Sequence, residues 1–216
     1  MKQTLESLEC DFYAACDQVG MKPSDKEAVI SLLAPLRDKN EVTRVHYLHS
    51  LRVALVARKI AKHVHSEERP LVFAGALHDI GKVQTPKEVL GKVGTWTAAD
   101  QRAISRHVMD GYRMLIGRFN YSAEIMMWHH KFQENGYPKV MPAPINKYNH
   151  STQLLIKECG RMLALADVYD ALHRSNSKFK ESGGLTGAEI KEKMLAFNPD
   201  RVTLVRSLYD AGVFVE

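Results

Sequence analysis

Apolar residues recur along this chain mostly at the three- and four-residue spacings of amphipathic helices. No segment keeps up a two-residue alternation, and no Asn-Gly or Asp-Gly pair lies between two alternating segments, as a β-hairpin would require. We therefore predict an all-α protein. The expected helices cover residues 2–18, 24–37, 42–64, 68–80, 97–118, 122–130, 151–173, 186–196 and 199–211.

Helix-start signals agree with several of these positions. Three pairs have the capping-box pattern, in which a hydroxyl residue and an acid three positions later satisfy the first backbone N–H groups. In addition, Asn198 precedes Pro199, as a capping residue precedes a first-turn proline. The three pairs are Ser24 with Glu27, Thr97 with Asp100, and Thr186 with Glu189.

Two segments between the predicted helices are long, residues 82–96 and 131–150. The second contains Gly136, Pro138, Pro142 and Pro144, which interrupt regular structure. It is too long for a simple connection between two helices. We expect it to shape a binding site.

Composition indicates an ordinary globular protein that needs no metal merely to fold. The chain has 216 residues, of which 45% are hydrophobic and 25% charged. Cys10, Cys16 and Cys159 lack the spacing of a zinc site and are odd in number, which favours a reducing compartment. No apolar run approaches 18 residues, and the first residues are not those of a signal peptide. We predict a cytoplasmic protein that is not inserted in a membrane.

Positive charge is concentrated in the middle of the chain. The net charge is +5, and residues 82–147 contain ten Lys or Arg against five Asp or Glu. This excess indicates an anionic ligand, although a solvated basic face would give the same count. It is too small, and too poor in neighbouring aromatic residues, to indicate a long nucleic acid partner.

An ionisable pair, His78-Asp79, follows the apolar run 71–77 and precedes Gly81. Burying this pair is unfavourable without partners, and a divalent cation is the strongest partner for a carboxylate. Taken alone, the pair is better explained by a histidine that caps a helix or forms a salt bridge with a core aspartate.

Further metal-ligand candidates occur in similar settings. His49 lies in the predicted helix 42–64, His107 in the helix 97–118, and His129-His130 at the end of the helix 122–130. Each residue has a structural explanation of its own, but five imidazoles with two carboxylates describe a nitrogen and oxygen site for Fe, Mn, Ni or Zn. The carboxylates are Asp79 and Asp167, and Asp170 follows Asp167 on the same helix face.

These elements together resemble the HD-GYP branch of the HD-domain metal-dependent phosphohydrolases. The motifs HSLRV, LHDIGK, H-xxx-G, HH, GYP and ADVYDAL occur in the family's order between His46 and Tyr209. The resemblance implies a helical HD-domain bundle over residues 41–216, with residues 1–40 as a short helical extension. It also implies two divalent transition-metal ions, Fe or Mn in preference to Ni or Zn, bridged by Asp79. One would be bound by His49, His78, Asp79 and Asp167, and the other by Asp79, His107, His129 and His130.

The same resemblance implies roles around the metals. Asp79 and Lys82 would be the catalytic residues, with Lys82 contacting the substrate phosphate. Asp170 would orient imidazole ligands. The predicted substrate-binding residues are Lys82, Arg174, Lys178, Phe179 and Lys180.

The chain departs from the family pattern at three places. Val45 stands where trinuclear members have a glutamate, which favours two metals. His46 would be a substitute ligand for a third metal, but we favour a partly exposed His46 that pairs with solvent. The segment before Gly136 is one residue shorter than usual, and residues 174–180 only partly match the family's substrate motif.

We therefore predict a phosphodiesterase that hydrolyses a cyclic dinucleotide, with cyclic di-GMP as the first candidate, to its linear dinucleotide through a metal-bridging hydroxide. Two alternatives remain open: another phosphoester hydrolase such as a nucleotidase, and a non-catalytic signalling module that binds a nucleotide or a protein. The complete ligand set disfavours the module. Residues 1–40 are expected to cap the bundle or to form a surface for a homodimer or a signalling partner.

Overall fold

The computed structural model describes residues 4–38, 40–174 and 184–215, and these residues form helices and no strand. The predicted all-α class is confirmed. The α-helices are α1 Leu5–Gln18, α2 Pro23–Arg37, α3 Glu41–His63, α4 Glu68–Leu77, α5 Lys87–Leu90, α6 Ala98–Ser105, α7 His107–Leu115, α8 Asn120–Met126, α9 His150–His173, α10 Gly187–Phe197 and α11 Val202–Asp210, with 3₁₀ helices over Ile80–Gln84 and Pro199–Arg201.

Helix α3 lies at the centre of the bundle and packs against α4, α9, α1 and α2. Its buried face is made largely of small and branched apolar residues, while α4 is buried over all of residues 71–77. Gly75 permits this packing, because a Cβ there would lie 2.6 Å from the Cα of Ala54. The close contact brings the end of α4, and with it His78, next to His49 of α3.

The N-terminal helices share the core of the bundle. Leu8 and Phe12 of α1 and Leu33 of α2 belong to the same buried apolar cluster as α3 and α9. Glu9 also accepts hydrogen bonds from Arg37 and from the hydroxyl of Tyr47, which ties α1 and α2 to α3. The division of the chain at residue 40 stays a prediction, but α1 and α2 are not separated from the bundle by a second core.

Three of the predicted helices end earlier or break where a histidine lies. The expected helix 97–118 is two helices, α6 and α7, that meet at Arg106; the expected helices 68–80 and 122–130 end at Leu77 and Met126. The reason is local. At each place a histidine side chain bonds the backbone carbonyl three residues before it, and an α-helix would otherwise use that carbonyl for its own ladder.

Two of the three capping boxes are confirmed, at Thr97 with Asp100 and at Thr186 with Glu189. The Ser24 prediction is wrong, since α2 begins at Pro23 and no side chain caps it. Proline is favoured at this first position because its missing N–H would have no helical partner.

The C-terminal helices are joined to α9 through a buried arginine. Arg161 is 2% exposed and donates hydrogen bonds to Asp200 and to the side chain of Asn198. Asn198 precedes the 3₁₀ helix that starts at Pro199, but its side chain bonds Arg161 and Met194 instead of capping that helix.

Among the described residues, no helix has the length and apolar character that a membrane span requires.

Candidate metal centre

The predicted ligands converge around the carboxylate of Asp79, which lies between the end of α4 and the following 3₁₀ helix. Asp79 Oδ2 lies 3.5 Å from Nε2 of His49 and 3.5 Å from Nε2 of His78. Asp79 Oδ1 lies 3.1 Å from Nε2 of His107 and 4.0 Å from Nε2 of His129. Each carboxylate oxygen therefore faces a different pair of imidazoles.

The centre has two sides: His49 and His78 lie on the first, and His107, His129 and His130 lie on the second. Asp167 of α9 completes the first side. Its Oδ1 lies 3.0 Å from His49 Nε2 and 3.8 Å from His78 Nε2. Possible ligand atoms within 4.8 Å of one another form three overlapping groups: Asp79 with His107, His129 and His130; His49 and His78 with Asp79; and His78 and His129 with Asp167. All seven predicted ligands belong to one or more of these groups.

The backbone decides which nitrogen of three histidines faces the centre. In each, Nδ1 donates to a backbone carbonyl oxygen, which can only accept, so Nδ1 holds the proton and Nε2 keeps a free lone pair. A metal-binding imidazole typically has this arrangement. The bonds run from His78 to Gly75 (2.8 Å), from His107 to Ile104 (2.5 Å) and from His129 to Met126 (2.5 Å).

His49 is oriented by a carboxylate instead. Its Nδ1 lies 2.7 Å from Oδ2 of Asp170, the residue that we predicted to orient imidazoles. Asp170 in turn accepts hydrogen bonds from Nε and Nη2 of Arg52. No motif in the sequence predicted this role for Arg52, although its position three residues after His49 places both on one side of α3.

His130 lies on the second side of the centre, under Tyr137 of the long segment between α8 and α9. The two ring centroids are 4.5 Å apart, and the Tyr137 ring also lies edge-on to His107 at 6.0 Å. The backbone N–H of Tyr137 donates to the carbonyl of His130. The expectation that residues 131–150 shape a site agrees with these contacts, whereas a contribution of the Tyr137 ring was not foreseen.

Glycines allow the second side to form. A Cβ on Gly81 would lie 1.9 Å from the carbonyl oxygen of His107 and 2.5 Å from the nitrogen of Gly111. Gly81 and Gly111 thus let the 3₁₀ helix after Asp79 press directly onto α7. This close approach explains the glycine of the H-xxx-G motif, because a side chain at either position would push His107 away from Asp79.

Several lone pairs at this centre point toward one another, and a bound cation would remove the repulsion between them. Nε2 of His107 lies 3.4 Å from Nε2 of His129 and 3.1 Å from Asp79 Oδ1, and neither imidazole has a proton to place between these atoms. Asp79 Oδ1 is buried without a hydrogen-bond partner in the described structure. Metal cations bind such convergent acceptors, and imidazole with carboxylate suits divalent transition metals. The residues present therefore fit the predicted metals.

Charges within the centre shift the pKa values of its acids strongly. Burial raises the pKa of Asp79, but the Lys82 ammonium outweighs it and holds the pKa well below its usual value. Burial lowers the pKa of His78 and lowers that of His129 to about 3, so both imidazoles are neutral near pH 7. Ionised carboxylates and neutral imidazoles are the forms that bind metals.

His49 is the exception among these imidazoles. Burial and Arg174 lower its pKa, but the carboxylates of Asp167 and Asp170 on its two sides outweigh them and raise it. His49 Nε2 lies 3.0 Å from Asp167 Oδ1, so a proton on Nε2 would be shared with that carboxylate. A metal ion at this position would replace that proton.

Of the predicted substrate-binding residues, two lie beside the centre. The Lys82 ammonium forms a 2.5 Å ion pair with Asp79 Oδ2, and Nε of Arg174 lies 3.7 Å from Asp170 Oδ2. Lys178, Phe179 and Lys180 lie outside the described residues.

A helical bundle whose helix ends bring histidines and aspartates around one carboxylate has the side chains of a metal-binding protein. Residues 47–172 match the family model of the HD domain, which is more than half of the chain. The chain belongs to the HD domain family, a family of metal-dependent phosphohydrolases, and the predicted family is confirmed.

Curated relatives of this chain are longer proteins. The chain is 32% identical to a cyclic di-GMP phosphodiesterase of Pseudomonas aeruginosa over 79% of its own length and 39% of the relative. It is 29% identical to the 3'3'-cGAMP-specific phosphodiesterase 2 of Vibrio cholerae over 91% of its own length and 37% of the relative. The chain thus spans about two fifths of the length of these two relatives.

A solved structure shares the fold. The phosphodiesterase PgpH HD domain of L. monocytogenes, in complex with cyclic-di-AMP, superposes with a TM-score of 0.59 and 19% identity, over 85% of this chain and 93% of that one. At this identity the similarity supports the fold alone, which is the predicted helical HD-domain bundle.

Proposed function

We propose that this chain is a two-metal phosphodiesterase that hydrolyses a cyclic dinucleotide, with cyclic di-GMP as the first candidate substrate. The observation that carries the proposal is the position of Asp79. Its two oxygens face separate sets of imidazole nitrogens, as a carboxylate that bridges two cations must. The names of the two curated relatives support a cyclic dinucleotide as the substrate class.

The seven side chains of the centre would hold two divalent transition-metal ions, with Fe or Mn favoured over Ni or Zn. When bound, such a pair supplies a hydroxide at neutral pH and positive charge for the phosphoryl oxygens. The protein contributes the orientation of the ligands. His78, His107 and His129 are held by backbone carbonyls, and His49 by Asp170, so little reorganisation is needed.

Lys82 and Arg174 would neutralise the substrate phosphates. The Lys82 side chain is 12% exposed at the edge of the centre, where its charge would be little screened by water. Arg174 lies at the end of α9, on the side where Asp170 contacts His49. Lys178, Phe179 and Lys180 remain part of the proposal as contacts to the rest of the dinucleotide, on the basis of the sequence alone.

We also propose that hydrolysis stops largely at the linear dinucleotide. A second cut requires the product to bind with a new terminal phosphate, which adds negative charge. Val45, at the position of the glutamate in trinuclear members, offers no metal ligand and is 47% exposed. Chromatography of a timed reaction should show the linear product accumulating, and early release of comparable GMP would contradict this.

The proposed function is tested with purified protein reconstituted with Fe(II) or Mn(II) without oxygen. Elemental analysis should give about two metal ions per chain. The same sample is then assayed with cyclic di-GMP, 3'3'-cGAMP, cyclic-di-AMP, mononucleotides and an aryl phosphodiester. Preference for a cyclic dinucleotide supports the proposal, preference for mononucleotides supports a nucleotidase, and a metal-loaded protein that hydrolyses none of them overturns it.

The cytoplasmic location is also a proposal, supported by the free Cys10, Cys16 and Cys159.

A further inference from the structure

A cavity of about 400 Å³ lies beside the candidate metal centre. Lys82 connects the two places, because it lines the cavity and its ammonium forms an ion pair with Asp79 Oδ2. The other lining residues come from the end of α2, from Thr43 of α3, and from the segment that runs from Val83 into α5. Cavities of this volume bind small molecules. A molecule whose phosphate contacts Lys82 can therefore extend into this cavity.

Contacts within the fold fix the walls of the cavity. Arg37, at the end of α2, donates two hydrogen bonds to Glu9, which holds the chain in place next to Asp38 of the cavity lining. The short helix α5, which also lines the cavity, packs closely on α3, since a Cβ on Gly91 would lie 3.1 Å from Cγ2 of Val42. The fold itself thus forms the cavity, as is usual for small-molecule sites.

The lining combines apolar side chains with groups of opposite charge. Pro35, Val83 and Leu90 contribute apolar walls, whereas Asp38 supplies a carboxylate and Lys87 an ammonium. A ligand that matches this lining has an apolar face, one edge of hydrogen-bond acceptors and another edge of donors. Guanine has this pattern, with O6 and N7 as acceptors and with N1–H and the N2 amino group as donors. Adenine lacks it, because adenine has an amino group in place of O6 and a lone pair at N1.

We infer that the cavity binds one guanine base of the substrate, with Lys87 donating to the O6 and N7 edge and Asp38 accepting from N1–H and the N2 amino group. This inference rests on the proposed function for the identity of the substrate, a cyclic dinucleotide whose phosphate lies at the metals and Lys82. It makes the chain selective for guanine over adenine at this position. It also assigns the end of α2 to substrate recognition, beyond the capping or partner-binding role expected for residues 1–40.

The test compares two probes, the 5′-methylenephosphonate analogues of GMP and AMP, whose P–C bond is not hydrolysed. Their ribose and phosphonate are identical, so the ratio of their Kd values, measured by calorimetry on metal-loaded protein, reports on the base alone. Asp38→Asn replaces the carboxylate by an amide of similar size that can also pair with adenine. Asp17→Asn is the matched control, because Asp17 is an exposed aspartate of α1 paired with Lys26.

A second variant tests the location of the base independently of Asp38. Ala34 is an exposed residue of α2 that lines the cavity, and Ala34→Trp would fill the cavity without changing its charges. Circular dichroism establishes that each variant is folded, and elemental analysis should show two metals in all of them.

Wild type should bind the guanine probe about tenfold or more tightly than the adenine probe, as expected for one well-placed pair of hydrogen bonds to a base. Asp38→Asn should bring the ratio close to one, chiefly by weakening the guanine probe, and Asp17→Asn should leave it unchanged. Ala34→Trp should weaken the guanine probe and remove the preference. With cyclic di-GMP as substrate, Asp38→Asn should raise KM more than it lowers kcat.

Equal Kd values of the two probes in wild type, or a wild-type ratio in Asp38→Asn, overturn the inference. If such a protein still hydrolyses cyclic dinucleotides, the proposed function stands without the guanine site. If wild type hydrolyses no cyclic dinucleotide but shows a preference for guanine that Asp38→Asn removes, the proposed function fails and the guanine site stands.

Discussion

Two polar clusters of this molecule, each built around a buried carboxylate, differ in how their atoms are satisfied. In the N-terminal cluster, Glu9 accepts hydrogen bonds from Nε and Nη2 of Arg37 at 2.7 and 2.9 Å and from the hydroxyl of Tyr47 at 2.6 Å. Every contact there joins a donor to an acceptor. In the candidate metal centre, by contrast, acceptors face acceptors, as Nε2 of His107 faces Asp79 Oδ1 at 3.1 Å.

The difference distinguishes a cluster that holds helices together from one that holds a ligand. A paired cluster is complete without anything added, and its loss is felt as loss of stability. A cluster of convergent lone pairs is unfavourable until a cation binds. Cation binding therefore explains why these side chains lie close together. Substitutions in the two clusters should therefore affect different measurements.

The largest effect is expected for Asp79→Asn. An amide cannot supply negative charge to two cations, so both metals should be lost and phosphodiester turnover should fall by about 10³-fold or more. Elemental analysis and a turnover assay measure these effects. Asp110→Asn is the control, since Asp110 is a buried aspartate of α7 paired with Arg113 outside the centre. Retention of two metals in Asp79→Asn would contradict the bridging role.

A smaller effect on turnover is expected for Lys82→Ala. The ammonium is adjacent to the centre without being a metal ligand, and loss of one electrostatic stabiliser lowers turnover on the order of 10²-fold. Metal content should stay at the wild-type value. Lys92→Ala, which removes a lysine paired with Asp100 on the surface, should leave turnover unchanged. Equal turnover in wild type and Lys82→Ala would remove Lys82 from the mechanism.

Asp170→Asn should weaken metal binding about 10- to 100-fold, as is typical when a partner of a ligating histidine is changed. The amide keeps an acceptor for His49 Nδ1 but loses the negative charge that Arg52 and His49 share. A competition titration with a chelator measures the affinity. Asp200→Asn alters a carboxylate that pairs with the buried Arg161 away from the centre, and should not change it. Identical affinities for both variants and wild type would show that Asp170 does not support the centre.

Glu9→Gln should act on stability alone. It removes the charge that Arg37 contacts and disturbs the bond from Tyr47, which should lower the free energy of unfolding by about 1–2 kcal/mol. Urea denaturation measures this change. Asp17→Asn, in an exposed pair with Lys26, should change it by less than about 0.5 kcal/mol. Loss of metal in Glu9→Gln would mean that the two clusters are not independent.

Prediction from the sequence was most successful where periodicity and burial act locally. The helices α3 and α9 lie within one or two residues of their expected bounds, and the buried run 71–77 lies in α4 as predicted. All the predicted ligands lie at one centre, because six motifs in a known order carry information that one His-Asp pair lacks. Helix ends were less accurate. A histidine that bonds the carbonyl three residues before it has no periodic signature, so the break at Arg106 was not foreseen.

The sequence by itself determined the all-helical class, the family and the identities of seven side chains able to bind metals. Only the tertiary structure decided that Asp79 presents one oxygen to His49 and His78 and the other to His107 and His129. It also decided that the Tyr137 ring lies against that of His130. The reason is physical. Residue types follow from the chain, whereas the orientation of a lone pair and the burial of a ring depend on which helices meet, and the glycines at positions 75, 81 and 111 set how closely they meet.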